Sequence, residues 1–166
     1  MKKKILDAFY KHEEKNIENK VITKTAGISI PMTIISNMIH SRGKHIYEAY
    51  DLTQSEIDVL VVLYIYHQSL TATEVSERLV FSSGGISKVV TKLEFKKLIY
   101  KKESKEDKRS TLLYLEEKGR DIVSECLPLF QENDDYFYDV LNEEEKQTLE
   151  GILKKILYAV AEDRNK

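Results

Sequence analysis

Apolar residues recur at helical spacing through the first part of the chain and predict a series of helices. From Pro31 to about Tyr50 they fall three and four positions apart, with polar residues opposite. Because proline suits a first helical turn, we expect this helix to begin near Pro31. Thr53-x-x-Glu56 has the pattern of a capping box, and residues 57–66 after it are apolar on nearly every side. That segment is therefore predicted to be a buried central helix.

A short helix and then a longer, two-sided helix are predicted next. Thr73 and Glu77 open the short helix, and a serine at position 82 or 83 caps the longer one, at about residues 83–97. The longer helix has an apolar side formed by Ile86, Val89, Val90 and Leu93. Its other side is polar and basic, with Ser87, Lys88, Thr91 and Lys92.

Beyond residue 97 the pattern changes to that of strands. Residues 99–102 and 111–115 have strand composition, and the polar stretch between them suits a hairpin tip. Helical spacing then returns to the end of the chain. This order predicts a mainly α (α+β) fold, a winged helix-turn-helix. The expected division is N-terminal helices at 1–50, the winged lobe at 51–115 with its wing at about 99–115, and C-terminal helices at 116–166.

Charge is distributed unevenly along the chain, although the total is close to neutral. The 166 residues include 26 Lys and Arg and 28 Asp and Glu, for a net charge of −2. Residues 82–120 hold 11 basic and 6 acidic side chains, whereas residues 121–166 hold 5 basic and 12 acidic ones. A local basic patch is typical of phosphate binding, and an ordinary solvated helix face is the alternative.

Several classes of protein are disfavoured by composition. The single cysteine, Cys126, excludes internal disulfides and Cys-based zinc fingers, and its apolar neighbours predict a buried, inert thiol. The four histidines are scattered, so we expect no metal and no cofactor. No Ser/His/Asp arrangement or phosphate loop indicates an enzyme. A charged N-terminus and the lack of an apolar run of about 18 residues predict a cytoplasmic protein without a membrane partner.

The predicted two-sided helix has the dimensions to bind double-stranded DNA. A helix is about 10–12 Å across and the major groove of B-DNA is about 12 Å wide, so outward side chains reach the base edges. Ser87 and Lys88 are candidates for base or phosphate contact, and Lys92 for phosphate contact. Ser82 and Ser83 are candidates both as helix caps and as phosphate contacts.

Two stretches of the basic middle carry motifs at a characteristic spacing. Residues 79–100 are LVFSSGGISKVVTKLEFKKLIY, and residues 105–120 are KEDKRSTLLYLEEKGR, with Asp-x-Arg followed by Glu-Lys-Gly-Arg. Upstream, residues 52–56 are LTQSE. Together these residues resemble the MarR family of bacterial transcription regulators. The resemblance implies a repressor that is a homodimer through its N- and C-terminal helices. Its two recognition helices would lie about one DNA turn (~34 Å) apart on a pseudo-palindromic operator.

The resemblance also implies roles at the wing and at the end of the recognition helix. Arg109 is similar in position to the arginine that the family places in the minor groove, where negative potential favours it. Asp107 would orient that guanidinium, and Lys108 keeps the charge of an arginine often found there. Lys97 replaces a glycine that often ends the recognition helix. Because a left-handed end is strained for lysine, we expect the helix to end differently.

Gly84 and Gly85 depart from the family, which usually has small polar residues there. Two glycines lower helix propensity by about 1 kcal/mol each and remove side chains that read bases. Either the backbone approaches DNA closely here, or the chain is a winged-helix protein-interaction module with weak or non-specific DNA binding.

Small aromatic effectors are common in the family, in the crevice between the dimerisation helices and the DNA-binding lobe. Four tyrosines flank that predicted junction and are candidates for an effector pocket: Tyr47, Tyr50, Tyr64 and Tyr66. Ordinary packing of these rings is the alternative. A ligand that favours a conformation unable to bind DNA would release the operator.

Overall fold

The computed structural model describes residues 3–19, 25–66, 69–79, 83–104 and 110–163. Its helices are α1 (Lys3–Glu18), α2 (Ala26–Glu48), α3 (Gln54–Ile65), α4 (Ala72–Leu79), α5 (Ser83–Phe95), α6 (Glu117–Tyr138) and α7 (Glu143–Asp163). Its strands are β1 (Leu70–Thr71), β2 (Ile99–Glu103) and β3 (Thr111–Leu115). The predicted mainly α fold with a small winged sheet is confirmed.

The chain divides into two compact units, the first ending at Arg42 and the second beginning at Gly43. In the first unit, α2 begins at Ala26, so the expected start near Pro31 is wrong. The main-chain N–H groups of Ile28 and Ser29 already donate to the Thr25 carbonyl, at 3.0 Å each. Proline in the second turn therefore removes only the one hydrogen bond that its missing N–H would donate.

The core of the second unit is built around α3, as its apolar sequence predicts. The capping box is present: Glu56 N–H donates to Thr53 Oγ1, and Glu56 Oε2 accepts from Thr53 N–H at 2.8 Å. Helix α3 contributes Ile57, Val59 and Leu60 to the core. Around them pack fully buried apolar residues of α4, α5, α6, the sheet and the turn that ends α5, which are Val75, Leu93, Leu98, Ile99, Leu113 and Val123. None of the helices in the described ranges is both long and apolar enough to span a bilayer.

The sheet has the strand order β1-β3-β2 and is antiparallel throughout. Ile99 pairs with Leu115 at the base of the wing, and Leu70 pairs with Leu113 on the other side of β3. The short strand β1 was not predicted. It leads directly into α4, which starts at Ala72 rather than at Thr73, because Glu74 caps it through the Thr71 N–H at 2.7 Å.

Two helices end in the same left-handed motif. Asp51 follows α2 with φ 56°, and Lys97 follows α5 with φ 55°. In each case the next residue, Leu52 or Leu98, is buried and donates its N–H to a carbonyl five residues earlier, at 3.1 and 3.0 Å. These are Schellman motifs. The expectation that Lys97 would prevent this end is wrong, because the two capping bonds and the burial of Leu98 outweigh about 1 kcal/mol of backbone strain.

Gly119 lies where α6 passes closest to the turn that ends α5. A Cβ at this position would lie 2.2 Å from the Leu98 carbonyl oxygen. The same oxygen accepts a hydrogen bond from Glu116 N–H at 3.0 Å. The glycine of the Glu-Lys-Gly-Arg motif therefore permits the start of α6 to pack against the end of α5.

Candidate nucleic-acid interface

Helix α5 has one buried side and one exposed side, as the sequence predicts. Ile86, Val90 and Leu93 are buried in the core. The opposite side is exposed and carries Gly85, Ser87, Lys88, Thr91 and Lys92. We call these five residues the outward face. The Thr91 hydroxyl donates to the Ser87 carbonyl at 2.9 Å, so its hydrogen is used within the helix. The charged groups of this face are Lys88 and Lys92.

The first turn of α5 contains Ser83 and Gly84, so both candidate residues lie at the helix start. Ser82 lies outside the described residues. Main-chain N–H groups at a helix start have no partners within the helix and favour anions. The two adjacent glycines thus lie at the end of α5 where backbone contact with phosphate is geometrically available.

The wing follows α5 as the hairpin of β2 and β3. Lys101 and Lys102 are exposed on β2, and the Tyr100 and Tyr114 rings stack with centroids 5.0 Å apart. Lys101 Nζ also lies 2.7 Å from Glu94 Oε2 and so joins the wing to α5. The predicted tip residues Asp107, Lys108 and Arg109 lie outside the described residues.

A cluster at the C-terminal end of α5 was not predicted from the sequence. Lys96 Nζ donates to the Asp51 carbonyl, and it lies 3.7 Å from Asp51 Oδ2 and 3.3 Å from Glu56 Oε1. Glu56 is buried, with 1% of its surface exposed. Burial raises the pKa of Glu56, but hydrogen bonds from Thr53 and Lys96 outweigh that effect and hold the pKa below its ordinary value. We call Asp51, Glu56 and Lys96 the Lys96 cluster.

An open groove of about 750 Å³ lies between the Lys96 cluster and the outward face. It runs along the last two turns of α5 and the residues that connect α2 to α3. Phe95 lies on its rim with 88% of its surface exposed. The full lining is Glu48, Asp51, Leu52, Thr53, Glu56, Thr91, Lys92, Phe95 and Lys96.

The four candidate tyrosines have different environments, and none of them lines that groove. Tyr47 is buried in the core, whereas Tyr66 is exposed under the Arg78 guanidinium, 4.5 Å from the ring centroid. Tyr64 is half-buried, with the Arg120 guanidinium 5.9 Å from its ring centroid. The Tyr50 hydroxyl donates to Glu125 Oε2, and this bond raises the pKa of Tyr50 to about 12.

Side chains of the types that bind metals are dispersed in the described part of the fold. Among the residues that the structure describes, no three His, Cys, Asp or Glu side chains are grouped as a metal site would require. Cys126 is fully buried, as its apolar neighbours predict.

A helix with a polar, basic outward face, followed by a hairpin and packed on two shorter helices, defines a winged helix-turn-helix protein. The family described as "Transcriptional regulator SarA/Rot" matches residues 43–126. An HTH-type transcriptional regulator of Bacillus anthracis is 32% identical over 124 residues, which are 73% of this chain and 80% of that protein. HTH-type transcriptional regulator MhqR of Bacillus subtilis (strain 168) is 32% identical over 114 residues, which are 69% and 77%.

Solved structures agree with these relatives. The crystal structure of the S. aureus MepR-DNA complex has a TM-score of 0.73 to this chain at 26% identity, over 83% of this chain and 98% of that one. The chain therefore belongs to the MarR/SarA family of winged-helix transcriptional regulators. The family and these relatives are transcription regulators rather than enzymes.

Proposed function

We propose that the protein is a sequence-specific repressor that binds a pseudo-palindromic operator in double-stranded DNA as a homodimer and is released by a small aromatic effector. The observation that carries this proposal is the outward face of α5, which presents two lysines and two hydroxyl groups while its other side is anchored in the core. The similarity to MepR, whose structure was solved as a complex with DNA, supports DNA binding by this chain.

In this proposal α5 enters the major groove, and Ser87 and Lys88 contact bases or phosphate. Lys92 contacts phosphate, together with Ser82, Ser83 and the main chain at Gly84 and Gly85. The wing tip, with Arg109 oriented by Asp107 and accompanied by Lys108, enters the adjacent minor groove. Phosphate contacts determine affinity and salt dependence, whereas base contacts determine sequence preference.

An apolar side of α7 supports dimerisation. Leu149, Ile152, Ile156, Leu157 and Val160 recur at helical spacing, and each has at least 36% of its surface exposed. A second copy of the chain would cover this side. We expect light scattering to give twice the 19.3 kDa chain mass, and Ile152→Asp with Leu157→Asp to give the monomer mass. Lys155→Asp, a charge change on the opposite side of α7, should leave the dimer intact.

DNA binding is tested with labelled duplexes from the region upstream of the gene, in excess random competitor and across a salt series. We expect one duplex to bind with a Kd of about 10⁻⁸ M or tighter, with affinity falling steeply as salt rises. Lys88→Ala and Arg109→Ala should each weaken binding, whereas Lys155→Ala removes the same charge from α7 and should not. Weak and equal binding to every duplex would contradict the proposal.

The two glycines favour a second candidate, an interaction module that binds DNA weakly and without sequence preference. Equal binding to all duplexes would support that candidate, because Gly84 and Gly85 offer no side chains to read bases. Gly85→Ser adds a polar side chain at this position and allows a comparison with the wild-type protein. The repressor proposal expects the wild-type protein, without this side chain, already to prefer one duplex.

Effector release is tested with phenol and benzoate as probes. We expect one of them to release the labelled duplex from the wild-type protein. Tyr64→Leu should abolish release while leaving DNA affinity without the probe unchanged. Release retained in Tyr64→Leu, and in the matching Tyr50→Leu variant, would show that these tyrosines are not the effector pocket.

A further inference from the structure

Three separate parts of the second unit meet at the ammonium group of Lys96. Asp51 belongs to the left-handed end of α2, Glu56 to the first turn of α3, and Lys96 directly follows the last residue of α5. The lysine contacts three oxygens, which are the Asp51 carbonyl, Asp51 Oδ2 and Glu56 Oε1. The remaining carboxylate oxygen of Glu56 is held by Thr53, through its N–H and its hydroxyl at 2.8 Å each.

This arrangement directs the Lys96 ammonium group toward oxygens of the protein. The group donates a hydrogen bond to the Asp51 carbonyl and lies within ion-pair distance of the Asp51 and Glu56 carboxylates, at 3.7 and 3.3 Å. The Lys96 side chain is also only 28% exposed. Lys92, one turn earlier, belongs instead to the exposed outward face. The two lysines are therefore suited to different tasks, although they lie only four residues apart at the C-terminal end of α5.

The Lys96 cluster joins the C-terminal end of α5 to the residues that connect α2 to α3, in addition to the packing of Leu93 and Leu98 in the core. Other bonds that the structure describes at this end are the Schellman motif at Lys97 and Leu98, the Glu116 N–H bond to the Leu98 carbonyl at 3.0 Å, and the Lys101–Glu94 ion pair at 2.7 Å. These bonds lie within the end of α5 or join it to α6 and the wing, whereas the Lys96 cluster joins it to the α2–α3 connection. A helix inserted in a groove must hold its angle closely, because a small rotation moves side chains at its far end away from the base edges.

We propose that Lys96 is a positioning residue for DNA recognition, which holds α5 at the angle that DNA requires by binding Asp51 and Glu56 and makes no contact with DNA itself. This inference rests on the proposed function, in which the outward face of α5 binds DNA. It assigns to one lysine of the basic middle a role that differs from phosphate contact.

The salt dependence of binding distinguishes the two roles. Each phosphate contact contributes about 0.9 to the slope of log K against log salt concentration. Lys92→Met removes a direct contact and should lower that slope by nearly one unit. Lys96→Met should weaken binding to the same duplex about tenfold, the equivalent of one charge-assisted hydrogen bond, while the slope changes by less than about half a unit.

Two further variants separate positioning from loss of the fold. Lys96→Met alone leaves Glu56 buried without its cation, so the Lys96→Met/Glu56→Gln double variant removes both charges while the amide still accepts from Thr53. Lys96→Arg supplies enough donors for the same oxygens and should bind within about threefold of wild type. All affinities are measured at a temperature where circular dichroism shows each variant fully folded. At that temperature, loss of Lys96 would leave DNA affinity unchanged if the lysine only stabilised the fold.

The expected result is a folded double variant with about tenfold weaker binding, an unchanged salt slope, and recovery in Lys96→Arg. Unchanged affinity in the folded double variant would overturn the inference. A slope lowered as far as in Lys92→Met would also overturn it, by showing that Lys96 contacts phosphate. Failure of the wild-type protein to select any duplex is a different result, which refutes the proposed function and this inference with it.

Discussion

Replacing Gly119 by alanine adds a methyl group between the first turn of α6 and the turn that ends α5. The added Cβ would lie 2.2 Å from the Leu98 carbonyl oxygen and 3.1 Å from the Leu98 carbonyl carbon. Both atoms belong to the backbone, so no side-chain rotation relieves the contact. Either α6 moves by about 1 Å or the turn distorts. Both changes would lengthen or break the hydrogen bond from Glu116 N–H to the Leu98 carbonyl, which is 3.0 Å in the wild-type protein.

The size of the effect follows from three contributions. Overpacking in a core contact costs about 1–3 kcal/mol. Loss of the Glu116–Leu98 hydrogen bond costs about 1 kcal/mol more. The higher helix propensity of alanine stabilises the folded protein by about 1 kcal/mol relative to glycine. We therefore expect Gly119→Ala to lower the free energy of unfolding by about 1–3 kcal/mol.

Gly151 provides a matched control, because it also lies within a helix but a Cβ there meets nothing within 4 Å. Gly151→Ala should raise the free energy of unfolding by up to about 1 kcal/mol through helix propensity alone. Urea denaturation at one fixed protein concentration measures both variants, since a dimer's stability depends on concentration. Similar changes in both variants would refute the steric argument.

Three further predictions concern individual side chains. Lys97→Gly should raise the free energy of unfolding by about 0.5–1 kcal/mol, since glycine adopts φ 55° without strain; lower stability in urea would contradict this. Glu56 has a lowered pKa in the folded state. Its ionised form therefore contributes to the free energy of unfolding above pH 4.5, and this contribution is lost as pH falls through the folded-state pKa. The stability difference between wild type and Glu56→Gln should therefore shrink as pH falls below 4.5, and a difference independent of pH would exclude this linkage. Burial, with Glu125 nearby, raises the pKa of Cys126 to about 11, so its thiol should react with a disulfide reagent at pH 7.5 at least about 100-fold faster in denaturant than in the folded protein. Equal rates would show that the thiol is accessible.

Much of the fold is encoded in contacts between residues close in sequence. The two sides of α5 follow from apolar and polar residues three and four positions apart, and the capping box at Thr53 follows from a single short motif. These signals specify a helix or a turn without reference to the rest of the chain. The winged helix-turn-helix and the outward face could be predicted for that reason.

Local signals also failed where neighbouring structure outweighed them. Pro31 suited a helix start, but α2 had already begun at Ala26. Lys97 disfavoured a left-handed helix end, but burial of Leu98 imposed one. At Lys97 the local preference is worth about 1 kcal/mol, which the burial of Leu98 exceeds. At Pro31 the bonds from the Ile28 and Ser29 N–H groups to the Thr25 carbonyl had already started the helix.

Other features exist only in the folded chain. Lys96 meets Asp51 across 45 positions of sequence, and the space that excludes a side chain at Gly119 is created by the Leu98 carbonyl of a different turn. No periodicity or short motif records such a pairing, because the partners are brought together by the way α3, α5 and α6 pack. Local patterning is enough to show which residues face outward on α5. Which lysines of the basic middle are bound within the protein depends instead on long-range contacts, and these form only when the helices pack.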